Sequence, residues 1–214
     1  FGWPQDAIDA ALIALHRSQH LSVTLNGAPV ALGQLAQNNI PKAAFRVEQA
    51  TLSVGDRLAL RKLFGQAGVS CKSGEEAAKA GEFLQTVIAL ARSAGGDAPL
   101  PPVPNLTAVE DLQRLAGNQQ LAAIRAAATP LETNLKEWTA ARDLAAQRVP
   151  VWQLITRLAG HATALPTAAE AIAQIEAIRT QRSLLQPQDG VSPLRRQLAD
   201  LLRAAVQQAQ QALE

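Results

Sequence analysis

The chain has 214 residues, 48% of them apolar and only 3% aromatic, which provides for one large or two small packed domains and excludes a disordered chain. Its net charge of +2 is spread evenly, with 9 Lys/Arg against 7 Asp/Glu in residues 1–93 and 11 against 11 in residues 94–214. That excludes a basic tail binding nucleic acid by bulk charge alone. The single Cys71 forbids an intrachain disulfide and suits a reducing compartment such as the cytoplasm, and no apolar run is long enough to span a bilayer.

The chain opens Phe1-Gly2-Trp3-Pro4 without a methionine, and reads as a piece of a larger protein. Ile8, Ala11, Leu12 and Leu15 follow the i, i+3, i+4, i+7 spacing of one buried helix face. Pro4 suits the first turn, and Trp3 is expected to fold back as a staple. Leu21, Val23 and Leu25 then alternate with polar residues, and Asn26-Gly27 is the strongest short hairpin signal, with a return strand over 28–31. A short helix over 32–37, a loop at Asn38-Asn39-Ile40-Pro41 and a strand over 43–51 follow. That strand places Phe45, Val47 and Gln49 on one face.

Ser53 caps a helix running to Gly65, with Leu58, Leu60, Leu63 and Phe64 as its apolar side. Ser73 and Glu76 have capping-box spacing, and the helix they begin turns Ala80, Phe83, Leu84, Val87, Ile88 and Ala91 inward to about Ser93. Residues 95–104, rich in Gly and Pro, read as a linker. Beyond it everything reads helical. Thr107/Glu110, Thr129/Glu132 and Thr167/Glu170 repeat the capping-box spacing. Leu131, Leu135, Trp138, Ala145, Val149 and Trp152 mark a heptad seam with Arg142 at one seam position, and Pro150 interrupts it. Ile172, Ile175 and Ile178 line a further helix. After a turn at 186–193, a last helix carries Leu194, Leu198, Leu201, Leu202, Val206 and Leu213, with no stop signal at Glu214.

The expected fold is therefore mainly α with an α+β N-terminal part. A winged-helix-like domain over 1–94 and a linker over 95–104 precede a helical bundle or antiparallel coiled-coil arm over 105–214.

Chemistry-bearing patterns are sparse. Neither a Walker loop nor a G-x-G-x-x-G occurs, so no phosphate cradle or cofactor site is expected. His16 and His20, four apart, could share a metal, but the third ligand is missing from the neighbourhood and a dipole role at a helix end explains them. Cys71 precedes a helix N-terminus, a position that can lower a thiol pKa, without a local base to activate it. The carboxylate pairs Glu75-Glu76 and Glu110-Asp111 sit in first turns, where capping accounts for them. Arg46, Arg57, Arg61 and Lys62, with Lys42 and Lys72 nearby, could line a basic face that contacts DNA phosphates; the alternative is a solvated or protein-binding face.

The strings Gly2-Trp3-Pro4-Gln5-Asp6-Ala7-Ile8, Phe45-Arg46-Val47-Glu48, Arg61-Lys62-Leu63-Phe64, Gly68-Val69-Ser70-Cys71-Lys72-Ser73-Gly74-Glu75-Glu76 and Gly95-Gly96-Asp97-Ala98-Pro99 resemble the region beyond the ATPase core in the large P-loop proteins of BREX phage-exclusion systems, the BrxC/PglY type. The resemblance is strongest over residues 1–118. It implies a part in bacterial phage defence, within an ATPase that assembles with other subunits, a DNA methyltransferase among them. It transfers no catalytic residue to this chain. The expected partners are such subunits or a second copy, with DNA as the alternative and no membrane.

Overall fold

The computed structural model describes residues 2–30, 33–48 and 50–213. The chain is mainly α with an N-terminal α+β part. It divides into two compact units, each made of two stretches: residues 1–88 with 106–133, and residues 89–105 with 134–214. The expected division at 95–104 is thus corrected. Residues 106–133 belong with the N-terminal part, and the Gly/Pro segment belongs to the second unit.

In the first unit, α1 (Gln5–Arg17) leads into β1 (Leu21–Leu25). Asn26 and Gly27 take φ of 49° and 81°, the left-handed pair that a two-residue primed turn requires, and β2 (Ala28–Pro29) returns antiparallel. Ala31, Leu32 and Gln49 lie outside the described residues. The expected helix over 32–37 is replaced by a 3-10 turn one segment later, Gln37–Lys42, spanning the residues read as a loop. β3 (Ala43–Val47) ends sooner than the sequence predicts and pairs antiparallel with β1, Val23 opposite Phe45. The sheet order is β2-β1-β3, so α1 feeds the central strand.

Val23, Leu35 and Ile40 form a small core with Leu12, Ile13, Val30 and Phe45 against it. α1 does not bury the stripe its spacing predicts. Ile8 and Leu15 are 38% and 39% exposed and Trp3 is 70% exposed, so the staple is absent; Asp9 and His16 are buried instead. The helix is turned because both polar groups are paired: Gln5 Nε2 and Gln37 Nε2 donate to the Asp9 carboxylate at 2.7 and 3.2 Å, and His16 Nδ1 is 3.1 Å from the Leu21 carbonyl.

α2 (Val54–Gln66) begins on a complete capping box between Ser53 and Asp56, and ends before Gly68, whose φ of 81° breaks the helix. The hydroxyl and amide of Ser53 hold the Asp56 carboxyl below its usual range, with Arg125 adding to the effect. Leu60, Leu63 and Phe64 are buried, while Leu58 is exposed. α3 (Glu76–Ser93) buries Ala80, Phe83, Leu84, Val87, Ile88 and Ala91, as its periodicity predicts, and Phe64 stacks on Phe83 with ring centroids 4.6 Å apart. α4 (Thr107–Gln113) and α5 (Gly117–Ala126) complete the unit. Leu121 and Ile124 of α5 are fully buried, Asn118 donates to the Gln19 carbonyl at 2.8 Å, and Arg125 pairs with Asp56. These bonds attach 106–133 to the N-terminal residues.

The second unit holds most of α6 (Ala128–Ala162), then α7 (Ala169–Thr180) and α8 (Val191–Gln211). Leu135, Trp138, Ala145 and Trp152 are buried along the predicted seam, Arg142 is exposed, and α6 continues through Pro150. Trp152, Ile155, Ile175, Leu194 and Leu198 centre the core. Residues 95–104 pack as structure. Pro99 follows a cis peptide bond and its carbonyl accepts from the Leu184 amide, Arg182 donates to the Gly96 carbonyl, and a Cβ on Gly95 would lie 2.5 Å from the Pro102 carbonyl oxygen. A free linker needs none of these bonds.

The three later capping boxes do not start helices as expected. Thr107 is already the first residue of α4, Thr129 is the second residue of α6, and Thr167 lies in a 3-10 turn ahead of α7. α8 is capped from a residue not singled out: Asp189 accepts from the amides of Val191 and Ser192, and the Ser192 contacts hold its carboxyl below the usual range. Among the described residues no helix is long and apolar enough to cross a membrane.

Candidate functional site

The four candidate cations fall into two groups. Arg57 and Arg61 stand on one side of α2, four residues apart, and both turn to Glu76 at the start of α3. The Glu76 carboxylate is fully buried. It accepts from Arg61 Nη1 and from the Gly74 amide at 3.0 Å, and Arg57 Nη1 lies 3.8 Å away, beyond hydrogen-bond range. That Arg57 nitrogen is buried without a hydrogen-bond partner among the described residues, held by charge alone. Glu76 thus serves two guanidiniums and a loop amide rather than the Ser73 box its spacing predicts, and Glu75 takes the Lys72 amide at 3.0 Å. Arg46 and Lys62 are exposed, as are Lys42 and Lys72. The expected continuous basic face is therefore divided, because a buried carboxylate claims its two central arginines.

The other candidates have structural surroundings as well. His16 is buried and His20 exposed, and among the described residues no cluster of three His, Cys, Asp or Glu is placed to hold a metal. Burial pushes the Cys71 thiol up, and the nearby Glu76 and Glu75 charges push it further. This corrects the expectation of a lowered pKa, because burial disfavours the thiolate first and the two carboxylate charges add to it. Asp111 pairs with exposed Arg114.

A cleft of about 710 Å³ opens in the first unit, lined by Leu21, Val23, Glu48, Ser73, Glu75 and Asn118 among others. Glu48 and Glu75 are its acidic groups, and both Glu48 carboxylate oxygens lie 3.5 Å from the place of a Cβ on Gly117, the first residue of α5, where the helix dipole favours an anion.

Sequence reasoning missed three buried polar groups. Asn118 and Gln120 tie the start of α5 to the Gln19 and Leu112 carbonyls. Arg148 is 8% exposed and donates to the carbonyls of Leu184, Gln186 and Pro187. The signal for Arg148 was present: it fills the i+3 place in the row Ala145, Val149, Trp152, where an apolar residue is expected.

The remaining feature is the exposed shoulder of α1. Ile8 and Leu15 stand seven residues apart, hence on one side of the helix, with Trp3 just ahead of it. Comparison with protein-family models, with curated proteins and with solved structures finds no match to this chain.

Proposed function

We propose that this chain is a non-catalytic interaction and assembly segment of a larger bacterial ATPase, of the kind its resemblance to the BREX phage-exclusion proteins implies. The observation that supports it is on α1: the helix buries Asp9 and His16 and leaves Ile8 and Leu15 partly exposed, with Trp3 70% exposed just ahead of it. Apolar side chains kept outside while polar ones are satisfied inside suit a face that a partner covers. The partner is another subunit of the assembly or a second copy. Pairing of Arg57 and Arg61 with Glu76 weighs against the alternative of a DNA-binding basic face, which loses half of its four candidate cations to that pairing.

The test is sedimentation of the purified chain alone and with purified defence-system subunits, beside an Ile8→Lys/Leu15→Glu variant. Both positions are surface-exposed, so the variant is expected to keep its circular dichroism and melting temperature. It is expected to lose complex formation by at least about tenfold. A wild-type chain that neither self-associates nor binds a subunit would overturn the proposal.

A further inference from the structure

We infer that the cleft of the first unit is a binding site for a primary alkylammonium group, whose charge meets the cleft's carboxylates while its aliphatic stem lies on the apolar wall. The inference goes beyond the assembly reading and does not rest on it.

Small residues make the hollow. Gly74, Ala77 and Ala78 line it where α3 begins, and Gly117 opens α5 at a φ of 59°, a conformation that favours glycine. With nothing larger than a methyl group at these positions, about 710 Å³ stays open, within the roughly 300–1,000 Å³ of small-molecule sites. Leu21, Val23 and Val30 supply the apolar wall.

The polar groups on offer are acceptors. The Glu48 carboxylate is half-buried and enters no hydrogen bond or salt bridge among the described residues. Glu75 gives one oxygen to the Lys72 amide and keeps the other. Asn118 is 3% exposed, and its amide nitrogen is spent on the Gln19 carbonyl. Its own side-chain oxygen accepts no hydrogen bond among the described residues, yet is not sealed from solvent. A buried carbonyl that opens on a cleft calls for a donor.

Charge selects the ligand. Neither Lys nor Arg lines the cleft; Lys72, in the neighbouring loop, is exposed, and Lys79 is paired with Glu82. The amides of Lys72 and Gly74 are already taken by Glu75 and Glu76, so an anion would meet the carboxylates without them. A primary ammonium carries a positive charge, three N–H donors and no acceptor, and its stem suits an apolar surface. A calcium ion would leave that surface unused, and among the described residues no three His, Cys, Asp or Glu gather to ligate one. The same ammonium chemistry is offered by a free alkylamine and by a lysine of another chain, and the test separates the two.

The full isotope-labelled chain is titrated with cadaverine, with an acetyl-Ala-Lys-Ala-amide tripeptide and with pentanol, and read by amide chemical shifts. The amines are expected to move the Asn118 side-chain amide and the backbone amides next to Glu48 and Glu75, and pentanol to bind at least about tenfold more weakly. Tighter cadaverine assigns the site to free amines, a tighter tripeptide to a lysine of another chain, and equal affinity to both. Glu48→Gln removes a charge that is in no salt bridge, and is expected to weaken amine binding about tenfold at an unchanged melting temperature. Ala78→Leu, at an exposed helix position, fills the cleft and is expected to abolish binding. No saturation by either amine up to about 10 mM overturns the inference. So do unchanged binding by folded Glu48→Gln, equal binding of pentanol, or tighter binding of calcium than of either amine. None of these outcomes touches Ile8 and Leu15, through which the assembly reading is tested.

Discussion

Glu76→Ala is expected to destabilise the first unit by about 3–5 kcal/mol, read as a lowered urea midpoint at unchanged slope. The carboxylate is fully buried and is the shared counter-charge of Arg57 and Arg61, which lie largely out of solvent themselves. Alanine removes the negative charge and strands both guanidiniums and the Gly74 amide together. The penalty is chiefly that of uncompensated buried charge, so Glu76→Gln, which keeps an acceptor for Arg61 and Gly74, should recover only part of it. Arg61→Ala should be milder, because Arg57 remains beside the carboxylate. A loss below about 0.5 kcal/mol for Glu76→Ala would show that the cluster is not what joins α2 to the start of α3.

Arg148→Ala is expected to cost the second unit about 3 kcal/mol or more, followed through Trp138 and Trp152 fluorescence as that unit unfolds. One guanidinium holds three consecutive-turn carbonyls, at 2.8 Å to Leu184, 2.5 Å to Gln186 and 3.4 Å to Pro187. These residues form the turn between α7 and α8, which has few apolar anchors besides Leu184 and half-buried Leu185. Arg148→Lys should rescue little, because a point ammonium cannot reproduce the fork. Arg148→Met keeps the apolar stem and isolates the hydrogen bonds; a methionine variant as stable as wild type would assign Arg148 to packing alone.

Where periodicity and burial agree, the chain was readable. The inward face of α3 and the seam of α6 follow from apolar spacing, and Asn26-Gly27 follows from the positive φ its turn requires. Local rules failed where long-range polar pairing decides. On α1 the apolar stripe competes with Asp9 and His16, and the outcome depends on Gln37, 28 residues away from Asp9. The arginines at 57 and 61 look like a free basic face until Glu76 is placed 15 residues beyond Arg61. Capping-box spacing recurs wherever Thr and Glu are common, and at Thr107, Thr129 and Thr167 the helix start is set by neighbouring packing instead. The Gly/Pro segment was read as a linker from composition, which is blind to the bonds that Gly96 and Pro99 make with residues past 180. The candidate site shared this limit: its exposed members, Arg46 and Lys62, were identifiable as surface cations, while the cleft that Glu48, Glu75 and Asn118 line required the fold.

The interleaving of the two units bears on the order in which the chain can acquire its structure during synthesis. The first 88 residues leave the ribosome without Asn118, Leu121 and Ile124, so the first unit cannot close until residue 133 has followed. The segment 89–105, which belongs to the other unit, emerges in between and must wait for residues near 182 and 184 before its carbonyls find donors. Both units thus depend on contacts distant in sequence, which slows closure. Arrest peptides placed along the nascent chain should register no folding force near residue 94. A first event is expected once residue 133 clears the exit tunnel, and a second only with α8.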